Sequence, residues 1–222
     1  MTFSLAGRDP QTREIGFAVA TSSVCVGGRV GALTEGCVVF SQCRTDPRLH
    51  RPGLRCWEET QDATAALEAM QQAATALHWR QLGVFPATGA GLHFTGSSCL
   101  GVAGGLIGEN SLALGNFLGS EDVLPAMVNG FETAKGSLAN RLVAGMLAGR
   151  AAGGERDPLQ SASMAVLGEA GLKDVDLRID DSSTPLEDLS RMLAEWLPKA
   201  AAYRVRALDP DAAPSSSSIE HG

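Results

Sequence analysis

The chain holds no lysine before Lys135, and only three of its 18 basic residues are lysines. Acidic residues number 25, giving a formal charge of −7, and aromatics make up 5%. Without a basic stripe interleaved with aromatic side chains, a nucleic-acid partner is excluded. The cysteines, Cys25, Cys37, Cys43, Cys56 and Cys99, are odd in number, form no CxxC pair and have no histidine at ligand spacing. This argues against a disulfide frame and a zinc site, and for small buried hydrophobes in a reducing cytoplasm. The start lacks a basic segment followed by an apolar stretch, so no signal peptide is expected. The longest uncharged run, 81–108, is broken by Pro86, His93 and repeated glycines, which is the chemistry of strands and turns rather than of a membrane span.

Catalytic signatures are also missing. "GVAGGLIG" is glycine-rich, yet no GK[ST] follows it and its spacing is not GxGxxG, so it reads as a turn region. There is no GxSxG, and His50, His78, His93 and His221 lie in unremarkable settings; His78 and His93 are read as structural. No internal repeat is visible.

What is present suits a folded protein: 222 residues, 44% hydrophobic and 19% charged, with 26 glycines for tight turns and close approaches. That is one domain, assigned to 1–206, followed by an acidic, serine-rich tail over 207–222. "TFSLA" and "IGFAVAT" are β-prone runs on either side of an Asp9-Pro10 turn, and "GCVVFSQC" is a third strand. Ala63, Ala66, Leu67, Met70, Ala74 and Leu77 fall on one face of a helix. "QLGVF" and "GLHFT" make a second hairpin, and "SLALGNF" a further strand. Two helices follow, "VLPAMVNGFETA" behind Ser120 and "LANRLVAGMLAG" behind the break at Gly136-Ser137. After a glycine stop, "SASMAVL" and "VDLRID" form a third hairpin. "TPLE" then opens a helix that turns Leu186, Leu189, Leu193, Trp196 and Leu197 to a core, with Thr184 as cap, Pro185 at the first position and Glu187 completing a capping box. Antiparallel strands with helices grouped between them mean an α+β fold, two sheets covered by helices on both outer faces.

Thr2 is the residue with the sharpest chemical reading. Trimming the methionine would leave a hydroxyl and a free α-amine on one residue, and an α-amine titrates near ~8, close enough to neutral to serve as base for its own hydroxyl. The plain alternative is that Thr2 only begins a strand. In the last hairpin, Asp176, Arg178 and Asp180 alternate with Val175, Leu177 and Ile179, an ion-pair row on one face that Gln160 and Ser161 of the facing strand could join. Holding the sheet together is the first role for that row, and orienting a site the second.

The opening "MTFSLAGRDPQTREIGFAVAT", then "SQC" with "DPR" and "PGL", "RQLGV", "HFTGSSC", "LALGNFL", "GGERDPLQSASMAV" and "VDLRIDDSSTPLEDLSRML" resemble, in order, the bacterial family known as domain of unknown function ten-twenty-eight. That family is assigned to the N-terminal nucleophile (Ntn) hydrolase superfamily. The resemblance runs from residue 1 to about 197. It implies a four-layer αββα sandwich with two antiparallel sheets and a candidate nucleophile, Thr2, heading a central strand. Ser41 and Gln42 match the family's Thr-Gln pair and Asn116 the Asn of its Gly-Asn motif, so they are expected to line a cleft, with Ser22 counted beside them. Asn116 is either an oxyanion donor or the residue that closes a turn. Gln160, Asp176, Arg178 and Asp180 are expected behind the site.

Three departures stand out. Ser23 occupies a position that is basic in many relatives, with Arg29 an uncertain stand-in; Asp46 replaces an Asn; and "ALTE" replaces a Trp-Ala-Arg stretch. The implied activity is hydrolysis of a small amide or ureido-type C–N bond, with a small-molecule substrate, no metal, no cofactor and no membrane. The alternative is a non-catalytic relative whose cleft binds a small molecule or a partner protein. A cytoplasmic homodimer through a helical face or sheet edge completes the expectation.

Overall fold

A computed structural model describes residues 1–168 and 171–221. The first hairpin, β1 (Thr2–Asp9) and β2 (Glu14–Thr21), alternates strictly. Phe3, Leu5, Ala18 and Ala20 face one way, while Ala6, Phe17 and Val19 face the other, and both sets are buried. A strand pair with two apolar faces must lie between two layers. It forms the centre of a six-stranded antiparallel sheet in the order β10-β9-β2-β1-β8-β7, with β7 (Val102–Ile107), β8 (Ser111–Leu118), β9 (Ser161–Leu167) and β10 (Lys173–Ile179). A second, four-stranded antiparallel sheet runs β3-β4-β5-β6, from β3 (Gly31–Thr34), β4 (Cys37–Cys43), β5 (Arg80–Pro86) and β6 (Leu92–Thr95).

Helices cover both outer faces. On the six-stranded sheet lie α3 (Val123–Thr133), α4 (Leu138–Ala151) and α5 (Pro185–Leu208), whose Met127, Phe131, Leu142, Met146 and Leu189 bury Phe3 and Leu5. On the four-stranded sheet lie α1 (His50–Thr60) and α2 (Ala63–Ala73), with Trp57, Ala66 and Met70 against Cys37, Val39 and Leu82. A third apolar layer, including Phe17, Phe40, Phe85, Leu112 and Leu114, fills the space between the sheets. The molecule is therefore the four-layer αββα sandwich expected. At the end of β1 remote from Thr2, Arg8 clamps the sheets, donating to the carbonyls of Pro86 at 2.9 Å and Glu109 at 3.0 Å. No helix of the described residues is long and apolar enough to cross a membrane.

Several local features differ from the sequence expectations. "VAGGLI" is strand β7, not a turn: a Cβ on Gly105 would sit 2.7 Å from the His93 ring, so glycine there serves close approach of β6 and β7. The glycine-rich connection before β4 contains β3, where Gly31 leaves room for the Phe17 ring. "HRPGLRCWEET", for which the sequence pattern predicts no element, is helix α1: Pro52 lies in the first turn, where its missing N–H costs nothing, and Gly53 admits Met70. Finally, Thr184 makes no side-chain cap and the capping box does not form: Glu187 is drawn away to the Arg150 guanidinium, while Ser182 and Asp188 bond at 2.6 Å. The segment expected as a tail includes a short helix, α6 (Ser216–His221), tied back through Glu220 to Lys199 and Tyr203 at 2.6 Å each.

Gly145 is where α4 touches both β1 and α3: a Cβ there would meet Leu5 Cδ2 at 2.5 Å and the Met127 carbonyl at 2.8 Å. Overpacking costs about 1–3 kcal/mol, against a helix-propensity gain of about 1 kcal/mol. Gly145→Ala is therefore expected to lower the urea midpoint at unchanged denaturant slope; an equal or higher midpoint contradicts this packing.

Candidate active site

Most of the space between the sheets is apolar, but at the Thr2 end six polar side chains replace it: Thr2, Ser4, Thr21, Gln42, Gln81 and Asn116, none more than 3% exposed. Strand alternation puts them there. Thr2 and Ser4 continue the inward face of β1 that Ala6 begins, and Asn116 continues that of Leu112 and Leu114 on β8. Gln42 follows Val38 and Phe40 on β4, and Gln81 lies directly across from it on β5.

Buried amides are costly unless bonded, and these are bonded to one another. The Gln81 Oε1 accepts from Gln42 Nε2 at 2.7 Å and from Asn116 Nδ2 at 3.0 Å. Its Nε2 donates to Thr95 Oγ1 and the Gly104 carbonyl at 3.0 Å and to the Gly115 carbonyl at 2.8 Å. Ser4 Oγ donates to Gln42 Oε1 at 2.8 Å. The network joins both sheets and fixes the Asn116 amide, leaving its second N–H for another acceptor.

Thr2 stands directly opposite Asn116 in the β1–β8 register, with Thr21 on its other side. Its hydroxyl donates to the Met1 carbonyl, which the Thr21 hydroxyl also reaches, and the two threonine oxygens are 3.4 Å apart. Ser23 Oγ lies 3.4 Å from that of Thr21. Met1 is 38% exposed, so solvent begins one residue from Thr2.

Glu155 completes this end. It follows α4 and bridges to Leu118, and its buried carboxylate accepts from the Ser22 backbone N–H at 2.9 Å and from the Ser22 hydroxyl. Burial raises its pKa above the ordinary carboxylate range, opposed by the two Ser22 bonds and by the nearby N-terminal ammonium. The residue types alone gave no sign of Glu155 or Gln81. Both fall inside stretches that carry the family resemblance, "GGERDPLQ" and "RQLGV", and that was the available signal.

The other expected site residues are distributed as follows. Asn116 is brought to Thr2, and Gln42 joins the same buried network through Ser4 and Gln81. Ser22 bonds Glu155. Ser41 lies on the opposite face of β4, where its hydroxyl accepts from the Asp46 N–H at 3.2 Å. Gln160 is exposed, with its backbone N–H bonded to the Thr21 carbonyl at 2.8 Å. Asp176, Arg178 and Asp180 lie on the surface as ion pairs, Lys173–Asp176 and Arg178–Asp180 at 2.8 Å each. These four are not brought to Thr2. The Arg29 guanidinium turns to the Val24 carbonyl at 2.6 Å. Asp46 receives Arg48 at 2.8 Å, which pulls its pKa down to about 2.

Two outcomes follow from this arrangement. Gln81→Leu strands the Gln42 and Asn116 donors and the Gly104 and Gly115 carbonyls, and should cost about 3 kcal/mol or more in chemical denaturation; a loss below about 1 kcal/mol would mean that the amides have other partners. For Glu155 the folded pKa exceeds the unfolded one, so its contribution is largest at low pH and is lost as pH rises from about 4.3 through the folded value. Relative to Glu155→Gln, the wild type should therefore lose melting temperature over that rise. A parallel pair of Tm–pH curves would contradict the raised pKa.

Comparison with known proteins gives a consistent family. A sequence profile of a family of unknown function, DUF1028, matches residues 2–189. The crystal structure of protein SPO2555 from Silicibacter pomeroyi, of the same family, superposes with a TM-score of 0.81 at 30% identity, over 87% of this chain and 88% of that one. Eukaryotic HslV from Trypanosoma brucei aligns with a TM-score of 0.48 at 14% identity, over 75% of this chain and 99% of that one. None of the curated proteins matches. With a profile match across most of its length and a relative of the same fold at that identity, the chain belongs to the DUF1028 family.

Proposed function

We propose that this protein is an N-terminal-threonine amidohydrolase of the Ntn type, cleaving a small amide or ureido-type C–N bond, with Thr2 as nucleophile once Met1 is removed. The observation that carries this reading is the setting of Thr2. It heads a central strand, faces an amide already fixed by a buried network, and lies one residue from solvent.

In this reading, removal of Met1 turns the Thr2 nitrogen into an α-amine and frees the hydroxyl from the Met1 carbonyl. The amine takes the Thr2 Oγ1 proton as that oxygen attacks the substrate carbonyl. Asn116 donates its second N–H to the oxyanion, and because Gln81 holds the amide beforehand, little reorganisation is needed at the moment of reaction. The ammonium returns its proton to the departing amine. Water, activated by the same α-amine, then hydrolyses the ester on Thr2. Glu155, bonded to Ser22 next to Thr21, steadies the ammonium form in this scheme. The three lysines follow α3 or lie on β10 and α5, so the α-amine is the base in this scheme.

The test starts from protein prepared with Thr2 as its first residue. A β-lactone should add its own mass to Thr2 and leave Thr2→Ala unmodified. In a screen of small amides and ureides, Thr2→Ala should abolish turnover, and Asn116→Ala should lower kcat by roughly 10²–10³-fold with a smaller change in KM. A silent screen with unreacted Thr2, together with metabolites that raise Tm, would replace catalysis by binding in the same cleft.

A further inference from the structure

Cys43 and Cys99 are 56 residues apart in the chain and meet at one residue, Arg80. Cys43 ends β4 directly opposite Arg80 in the β4–β5 register. Cys99 lies in the connection between β6 and β7, and its thiol reaches the Arg80 carbonyl at 3.8 Å. That connection is pinned on both sides, by the Gly96 N–H to the Arg80 carbonyl at 2.8 Å and by the Phe117 N–H to the Leu100 carbonyl at 2.9 Å.

The Cys43 thiol has the Cys99 thiol as its main electrostatic partner. Its titration is linked to that of the Cys99 thiol, while the neighbouring Arg44 N–H is spent on the Trp79 carbonyl at 3.1 Å. The Cys43 backbone has φ of 72°, a left-handed conformation uncommon for a residue with a side chain. A neighbouring thiol that donates its hydrogen favours the thiolate of its partner. The Cys43 pKa is pulled down to about 6, chiefly by the Cys99 thiol and against the effect of burial. Cys99, which supplies the shared proton, is pushed up. Both residues are partly exposed, whereas Cys37 is buried and its pKa is raised to about 12 by desolvation.

We propose that Cys43 and Cys99 form a peroxide-responsive dithiol at the Thr2 end of the sandwich, with Cys43 as the attacking sulfur and Cys99 as the resolving one. The Cys43 thiolate attacks one oxygen of hydrogen peroxide; the S–O bond forms, the O–O bond breaks, and hydroxide leaves to become water. The Cys99 thiol then gives up its proton and attacks the sulfenic sulfur; the S–S bond forms and the S–O bond breaks, releasing a second water. In sum, two thiols and one peroxide give a disulfide and two waters. The bond ties the end of β4, next to Gln42, to the β6–β7 connection. This inference does not depend on Thr2 being a nucleophile.

Acid pH separates Cys43 from the remaining thiols. At about pH 5.5 a thiol titrating near ~6 is roughly a quarter ionised, against about 0.1% for an ordinary thiol near ~8.5; the lower nucleophilicity of the more acidic thiolate still leaves an advantage of roughly tenfold. The experiment treats the reduced full-length chain with stoichiometric hydrogen peroxide at about pH 5.5, steps to about pH 8, caps free thiols with N-ethylmaleimide and maps peptides without reductant. Expected are a loss of two free thiols, a linked Cys43–Cys99 peptide that dithiothreitol opens, and, in Cys99→Ser, a sulfenic acid on Cys43 trapped by dimedone. Cys43→Ser should slow peroxide consumption roughly tenfold at the acid pH. The proposal is overturned if wild-type Cys43 stays reduced, if exposed Cys25 is oxidised first, or if Cys43→Ser consumes peroxide at the wild-type rate.

Discussion

The side-chain amide of Gln81 is the joint on which this end of the molecule depends. It accepts from one amide on each sheet and donates to backbone and hydroxyl oxygens around it. An apolar residue at this position would leave polar groups on both sheets without partners, in a space that excludes water. The polar cluster is tolerated because it is almost entirely self-satisfied. The remaining donor capacity, one N–H on Asn116, lies beside Thr2 and Thr21, whose hydroxyls reach the carbonyl of exposed Met1.

The rest of the fold serves that arrangement. Three apolar layers fix the separation and register of the sheets, and the register places Thr2 across from Asn116. Arg8 holds the far end, so the sheets are clamped on both sides of an apolar middle. A cavity of about 540 Å³ opens near the β1–β2 turn, lined by Gln11, Glu14, Asp174 and Arg204 among others. It lies at the opposite end of β1 from Thr2 and from the buried polar cluster.

Much of the architecture was legible in the sequence because alternation is a strong signal. In β1, β2 and β8 every second residue is apolar toward one layer, and α2 and α5 carry clear helical stripes. What misled was glycine chemistry. Gly105 and Gly31 serve contact with His93 and Phe17 rather than turns. The capping box at Thr184 was plausible locally, but a charge far away in the chain, Arg150, claimed its glutamate. The site was only partly legible. Thr2, Asn116 and Gln42 share the inward face, but Ser41 follows the alternation of β4 to the helical side. The ion-pair row on β10 is a surface feature. Gln81 and Glu155 acquire their significance from cross-strand and cross-loop neighbours, which no local pattern encodes.

The central claim is that residue 2 works as a chain terminus beside a preorganised amide. Its most direct test is N-terminal sequencing and intact mass of the protein purified from the cells that naturally make it. The account predicts that functional protein begins at Thr2 with an unblocked amine. Protein that retains Met1 throughout, or whose Thr2 nitrogen is acylated, would contradict it.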